Sequence, residues 1–120
     1  MWKYYDKEYY EKASGIKLPE TAQSIESFDN GEFYTITSFK LSSGDMHSLI
    51  KQYAFKGIEK NYRPTLFGVN NLKKDRPKED LFANYVYLMR SKDKLNSTYL
   101  IDTVKNLLWA SITYPDWGGH

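Results

Sequence analysis

Three runs rich in β-branched and aromatic residues, NYVYLMR, STYLID and LLWASITY, follow one another between Asn84 and Tyr114 with only polar breaks between them. Runs of this kind bounded by turn residues predict strands, and their succession predicts the spine of one antiparallel sheet. Upstream, AQSIESF and EFYTITSFKL flank Asp29-Asn30-Gly31, a triplet suited to positive φ. That arrangement predicts a hairpin. In its second strand Phe33, Thr35, Thr37 and Phe39 share one face and Tyr34, Ile36 and Ser38 the other. Neither face is plainly polar, so the strand is expected away from the sheet edge, or covered on one face by helices and on the other by a loop or partner. The last hairpin admits two registers. A two-residue turn at Lys105-Asn106 places Tyr99, Ile101, Leu108, Ala110 and Ile112 on one face, whereas a type I turn ending with Asn106 in the left-handed conformation pairs Ile101 with Trp109. Asn tolerates that conformation, and the second register is the expectation.

The helical period appears twice. Residues 3–14 lack Pro and Gly, and Tyr5, Tyr9, Ala13 and Ile16 fall on or near one side of a helix that Gly15 can stop. Pro19 keeps it from resuming. Ser42-Ser43-Gly44-Asp45 then has the character of a helix start, followed by Met46, Leu49, Ile50 and Tyr53 at i, i+3, i+4 and i+7, with Gly57 or the Phe55–Gly57 segment as its end. From Ile58 to Phe82 periodicity disappears. A loop of that length inside a compact domain either contains short structure or is functional. The order helix, strand, strand, helix, long loop, strand, strand, strand predicts an α+β fold, a single antiparallel sheet of about five strands with two helices packed on one face.

With 120 residues, the chain is expected to form a single domain over 1–120, and an apolar share of 41% with 17% aromatics supports a folded core. Eleven tyrosines suit half-exposed sheets and contact surfaces alike. The absence of cysteine excludes disulfides, thiolate zinc sites and a thiol nucleophile. No run is long and apolar enough to span a bilayer, so the chain as written is expected to be soluble and cytoplasmic, or exported if Met1 replaces a removed leader. Charge is unevenly spread: residues 1–48 carry five Lys against eight acids, and residues 49–120 carry twelve Lys/Arg against seven acids. Two faces of opposite sign are expected.

Candidate chemistry is sparse. His47 falls off the apolar stripe of the second helix, and His120 is the last residue. The serines lack a nucleophile-elbow context. Asp75, Glu79, Asp80, Asp93, Asp102 and Asp116 are scattered without metal-ligand spacing, and no phosphate-binding glycine motif occurs. No enzyme activity and no cofactor is therefore expected, with a hydrolase using Glu79, Asp80 or Asp102 a distant third reading. The stretch from Lys51 to Lys94 has eleven Lys/Arg against five acids, interleaved with aromatics, which would suit a nucleic-acid-binding module. The tail Tyr114–Gly119 holds Trp117, placed either to cap the core or to anchor a partner.

In general look, a small tyrosine-rich α+β chain without a catalytic inventory, the sequence is similar to bacterial immunity and inhibitor proteins and to small exported domains. The resemblance implies a non-catalytic domain that binds another protein. An aromatic sheet face and the 58–82 loop are the expected contact surface, with Tyr62, Arg63, Phe67, Lys73, Lys74, Arg76, Trp109 and Trp117 as candidate residues.

Overall fold

A computed structural model describes residues 7–29, 33–58, 66–77 and 84–114. Among the described residues two helices, α1 (Lys7–Ser14) and α2 (Ser43–Tyr53), accompany six strands: β1 (Gln23–Asp29), β2 (Tyr34–Lys40), β3 (Lys56–Gly57), β4 (Tyr85–Lys92), β5 (Leu95–Asp102) and β6 (Leu107–Thr113). The strands form one sheet in the order β1-β2-β6-β5-β4-β3, every neighbouring pair antiparallel. The α+β class and the helices on one face are as expected. The strand count is six because β3, only two residues long, pairs with Val86 and Tyr87. A strand that short carries no alternation to read.

Both helix boundaries follow local chemistry. Gly15 at φ 83 ends α1, and Ile16 turns into the core. Ser42 caps α2, its hydroxyl accepting the Asp45 N–H at 3.2 Å. The end of α2 comes earlier than expected: Ala54, not Gly57, adopts the left-handed conformation (φ 56), and Phe55 N–H closes on the Ile50 carbonyl at 3.1 Å. Gly57 is left to β3.

The helix face of the sheet carries one core. Tyr10 of α1, Met46 and Leu49 of α2, and Ile16, Leu18 and Leu41 from their flanks pack on Phe39, Tyr99, Ile101, Leu108, Ala110 and Ile112. These sheet residues alternate with the ones facing the other side, as the period of two requires. At 25 cal/mol per Å² of apolar surface, burying side chains of this size contributes about 2 kcal/mol each.

Hydroxyls pin α1 to that face. The Tyr10 hydroxyl pairs with Thr37 Oγ1 at 2.7 Å, and Thr37 Oγ1 in turn with Ser27 Oγ at 2.8 Å. Ser14 Oγ donates to the Tyr10 carbonyl at 2.7 Å and lies 2.6 Å from the Tyr99 hydroxyl. Burial pushes the Tyr10 and Tyr99 hydroxyls well above the ordinary tyrosine range, against the opposing pull of their hydrogen bonds. Below pH 10 these groups are protonated in both the folded and unfolded chain, and stability does not depend on them. Above it the unfolded tyrosines ionise while the buried ones hold their protons, so stability falls as pH rises from 10 towards the raised folded values. Denaturant midpoints are expected to stay level from pH 7 to 9 and then drop, by roughly 1 kcal/mol per buried tyrosine near pH 11. The double variant Tyr10→Phe/Tyr99→Phe should flatten that limb; an unchanged slope would mean that neither hydroxyl carries it.

Two turns set the register of the last three strands. Asp93 (φ 52) and Lys94 (φ 70) close β4–β5 as a two-residue turn with both positions left-handed, and Lys92 faces Leu95. The β5–β6 register differs from the expected one. Asn106 does adopt the left-handed conformation (φ 58), but the loop is four residues long, so Ile101 faces Leu108 and Leu100 faces Trp109. The Asp102 carboxylate explains the extra residue: its Oδ1 accepts the N–H groups of Val104 and Lys105 at 2.9 and 3.1 Å, while Asn106 N–H reaches the Asp102 carbonyl at 2.9 Å. An even loop keeps Tyr99, Ile101, Leu108, Ala110 and Ile112 together on the helix face and sends Trp109 to the other.

Candidate interaction surface

The face opposite the helices is covered by the chain itself. Residues 66–77, called the strap below, cross it with a single 3-10 turn at Val69–Asn71. Leu66 and Leu72 of the strap are buried with Ile36, Tyr85, Leu100, Leu107 and Trp109 in a second core, and Val69 packs against it. The longest irregular piece of the sequence is thus a structural layer over its described length. An aromatic sheet face offered to a partner is not what these residues form.

Polar bonds to the sheet hold the strap at both ends. Near its start, Ser111 Oγ donates to the Phe67 carbonyl at 2.8 Å, and Asn71 Nδ2 donates to the Tyr34 hydroxyl at 3.1 Å. Towards its end, the Trp109 indole N–H donates to the Asp75 carbonyl at 2.8 Å. Between them the Glu26 carboxylate accepts the backbone N–H of Lys73 on both oxygens, at 2.8 and 3.0 Å, and that of Lys74 at 2.9 Å. Hydrogen bonds to a charged acceptor are among the stronger ones available, about 1.5–3 kcal/mol each when formed.

Glu26 reaches the strap because β1 is irregular. The β1–β2 register shifts between Ser24 and Glu26, leaving Ile25 as an extra residue. A bulge of this kind re-aims side chains. Ile25 and Phe28 both pack on the strap-side core, and Glu26 between them grips the strap backbone. Strict alternation would have put Ile25 and Glu26 on opposite faces, so no sequence pattern marks Glu26 as the anchor.

Beside the strap, three rings form a half-buried row. Phe28 and Tyr34 have ring centroids 6.2 Å apart, and Tyr34 and Phe67 6.3 Å, all tilted rather than stacked. Phe33 at the same end of β2 is 40% exposed. Sequence reasoning singled out Phe67 and missed Phe28 and Tyr34, although alternation along β2 did place Tyr34 and Ile36 on one face.

The candidate residues divide accordingly. Phe67 belongs to the ring row. Lys73, Lys74 and Arg76 have exposed side chains on a strap whose backbone is tied down, and Arg76 also bonds the Leu72 carbonyl through Nε. Trp109 is a correction: fully buried beneath the strap, against Tyr85 at 6.1 Å, it is a core residue and offers nothing to a partner. Its aromatic character was legible, but the layer that covers it comes from more than thirty residues away. Tyr62, Arg63 and Trp117 lie outside the described residues, as do Glu79 and Asp80.

The basic stretch between Lys51 and Lys94 does not make one surface among the described residues. Lys73, Lys74 and Arg76 sit on the strap side, whereas Arg90 lies over the Tyr53 ring and Lys92 bonds the Lys12 carbonyl, both on the helix side. Asp102 is buried and spends its carboxylate on the β5–β6 turn. His47 is exposed on α2. Among the described residues no three metal-ligating side chains come together, and no helix is long and apolar enough to cross a membrane. No protein-family model, curated protein or solved structure matches this chain.

Proposed function

We propose that this chain is a non-catalytic protein-binding domain that contacts its partner through the outer side of the strap and the adjoining ring row. The observation that carries the reading is the anchoring of the strap: Lys73 and Lys74 are tied through their backbone N–H groups to Glu26 while their side chains stay exposed. A surface whose backbone is already ordered loses little entropy on binding, so more of the contact energy appears as affinity. The half-buried rings Phe28, Tyr34 and Phe67 supply the apolar centre, and Lys73, Lys74 and Arg76 the charged rim, of an ordinary protein interface. The rim selects a partner surface of negative charge and speeds encounter with it. An inhibitor-type role, in which occupying a partner is the whole activity, agrees with this arrangement.

Affinity capture with the intact chain from its native host tests the reading. The wild type should retain a partner in near-stoichiometric amount. The double variant Lys73→Glu/Lys74→Glu should lose it while staying close to the wild-type melting temperature, since these side chains are exposed and only their backbone N–H groups are tied. Recovery of the same partner by the charge-reversed protein would contradict the assignment of the surface.

A further inference from the structure

We propose a second docking site, for an acidic polypeptide segment, where the end of α1 meets β4 on the helix side. Gly15 stops α1, and the chain turns so that Lys17 N–H donates to the Tyr53 hydroxyl at 2.8 Å. The Arg90 guanidinium lies over the same tyrosine ring, 5.5 Å from its centroid. Two residues along β4, and so on the same face, Lys92 donates from Nζ to the Lys12 carbonyl at 3.1 Å. Its stem lies 3.7 Å from where a Cβ on Gly15 would stand. Lys12, Lys17, Arg90 and Lys92 are all exposed, and these contacts bring the backbone of Lys12 and Lys17 beside the side chains of Lys92 and Arg90, with Lys94 in the turn that follows Lys92.

Part of this charge has a structural use. The carbonyls at the end of a helix favour a nearby cation, and Lys92 answers one of them. Lys12, Lys17 and Arg90 exceed that need. The acids in the neighbourhood cancel only part of this charge: Glu8 and Glu11 share α1 with Lys12, Glu11 accepting the Leu18 N–H at 2.7 Å, and Asp93 stands in the turn beside Lys94, three acids against the five cations Lys12, Lys17, Arg90, Lys92 and Lys94. The patch therefore keeps a net positive charge facing solvent.

Arg90 decides the class of partner. A guanidinium that rests over a ring has part of its rotamer freedom already spent, and its N–H fork suits a carboxylate. Single-stranded nucleic acid would want exposed rings to stack on. Among the described residues the large apolar side chains left exposed are Phe33, Met89 and Val104, and Met89 alternates to the opposite face of β4 from Arg90. Duplex binding would need a longer row of phosphate contacts than four cations supply. A segment rich in Glu or Asp fits the patch. The site is separate from the strap, which lies on the other face of the sheet.

Titration of the full chain with an oligoglutamate peptide, followed by amide chemical shifts, tests the site, with a duplex oligonucleotide of equal charge as comparison. The shifts are expected to concentrate at Lys12, Gly15, Lys17, Arg90 and Lys92. Arg90→Gln and Lys17→Gln should each weaken binding about fivefold, the loss expected for one charged contact. Lys17→Gln removes an exposed side chain only, so its melting temperature should match the wild type. In the variant Lys73→Gln/Lys74→Gln/Arg76→Gln the shifts at Lys12, Gly15, Lys17, Arg90 and Lys92 should titrate as in the wild type, which keeps this result separate from the fate of the strap surface. Shifts spread evenly over all exposed lysines, wild-type binding by Arg90→Gln, or tighter binding of the duplex at the same residues would overturn the proposal.

Discussion

Gly68→Ala is expected to cost about 2–5 kcal/mol and to lift the strap from the sheet. Gly68 stands at φ +90, where any side chain strains the backbone, at about 1–2 kcal/mol. The added methyl would also meet Ile36 Cγ2 and Tyr34 Cε1 at 2.9 Å. Ile36 is fully buried and has nowhere to go, so overpacking adds about 1–3 kcal/mol. The strain falls between two anchors, the Phe67 carbonyl held by Ser111 and the Gly68 carbonyl that accepts the Asn71 N–H at 2.9 Å. Release of the strap would uncover Trp109. In a background with Trp2 and Trp117 replaced by Phe, the remaining Trp109 emission should shift to the red in Gly68→Ala while far-ultraviolet circular dichroism stays native. Emission as blue as the parent would show that the close approach at Gly68 is not needed.

Tyr10→Ala is the second large effect, with an expected loss of about 3–5 kcal/mol, the range for removing a fully buried aromatic side chain. Tyr10 is wholly buried, edge-on to Phe39 at 5.9 Å and to Tyr9 at 5.3 Å, and its hydroxyl ends the Thr37–Ser27 chain. α1 is short, and short helices draw their stability from packing rather than from their own hydrogen bonds. The alanine variant should therefore undock α1 and lower the melting temperature by roughly 4 °C for each kcal/mol lost. Tyr10→Phe separates ring from hydroxyl. It keeps the packing, leaves Thr37 its bond to Ser27, and should cost only about 1 kcal/mol. Equal losses in the two variants would mean that the ring contributes little.

Much of the fold is legible in the sequence where one residue acts through a short-range rule. Ser42 reads as a cap, Gly15 as a stop, and the alternation along β2 assigns its two faces correctly. The parts that are not legible depend on distant partners. β3 is strand only because Val86 and Tyr87 stand beside it. The Asp102 carboxylate lengthens a turn whose residues alone suggest a shorter one. Glu26 looks like an edge-strand charge until a bulge turns it towards residues 73 and 74. The candidate surface shows the same division. Lys73, Lys74 and Arg76 are visible as a charged run in a loop, and such runs stay exposed. Trp109 is visible as an aromatic residue, a type equally suited to cores and to contact surfaces, and only the strap decides between them.

The strap is an ordered element anchored by Glu26, and amide hydrogen exchange at Lys73 and Lys74 puts this to the test. Both amides should be protected in the wild type. In Glu26→Ala they should exchange faster by a factor on the order of 10–100, the equivalent of about 1.5–3 kcal/mol for a charged hydrogen bond, while core amides such as that of Ala110 keep their protection. Lys73 and Lys74 amides that exchange in the wild type at the rate of an unstructured chain would contradict the account.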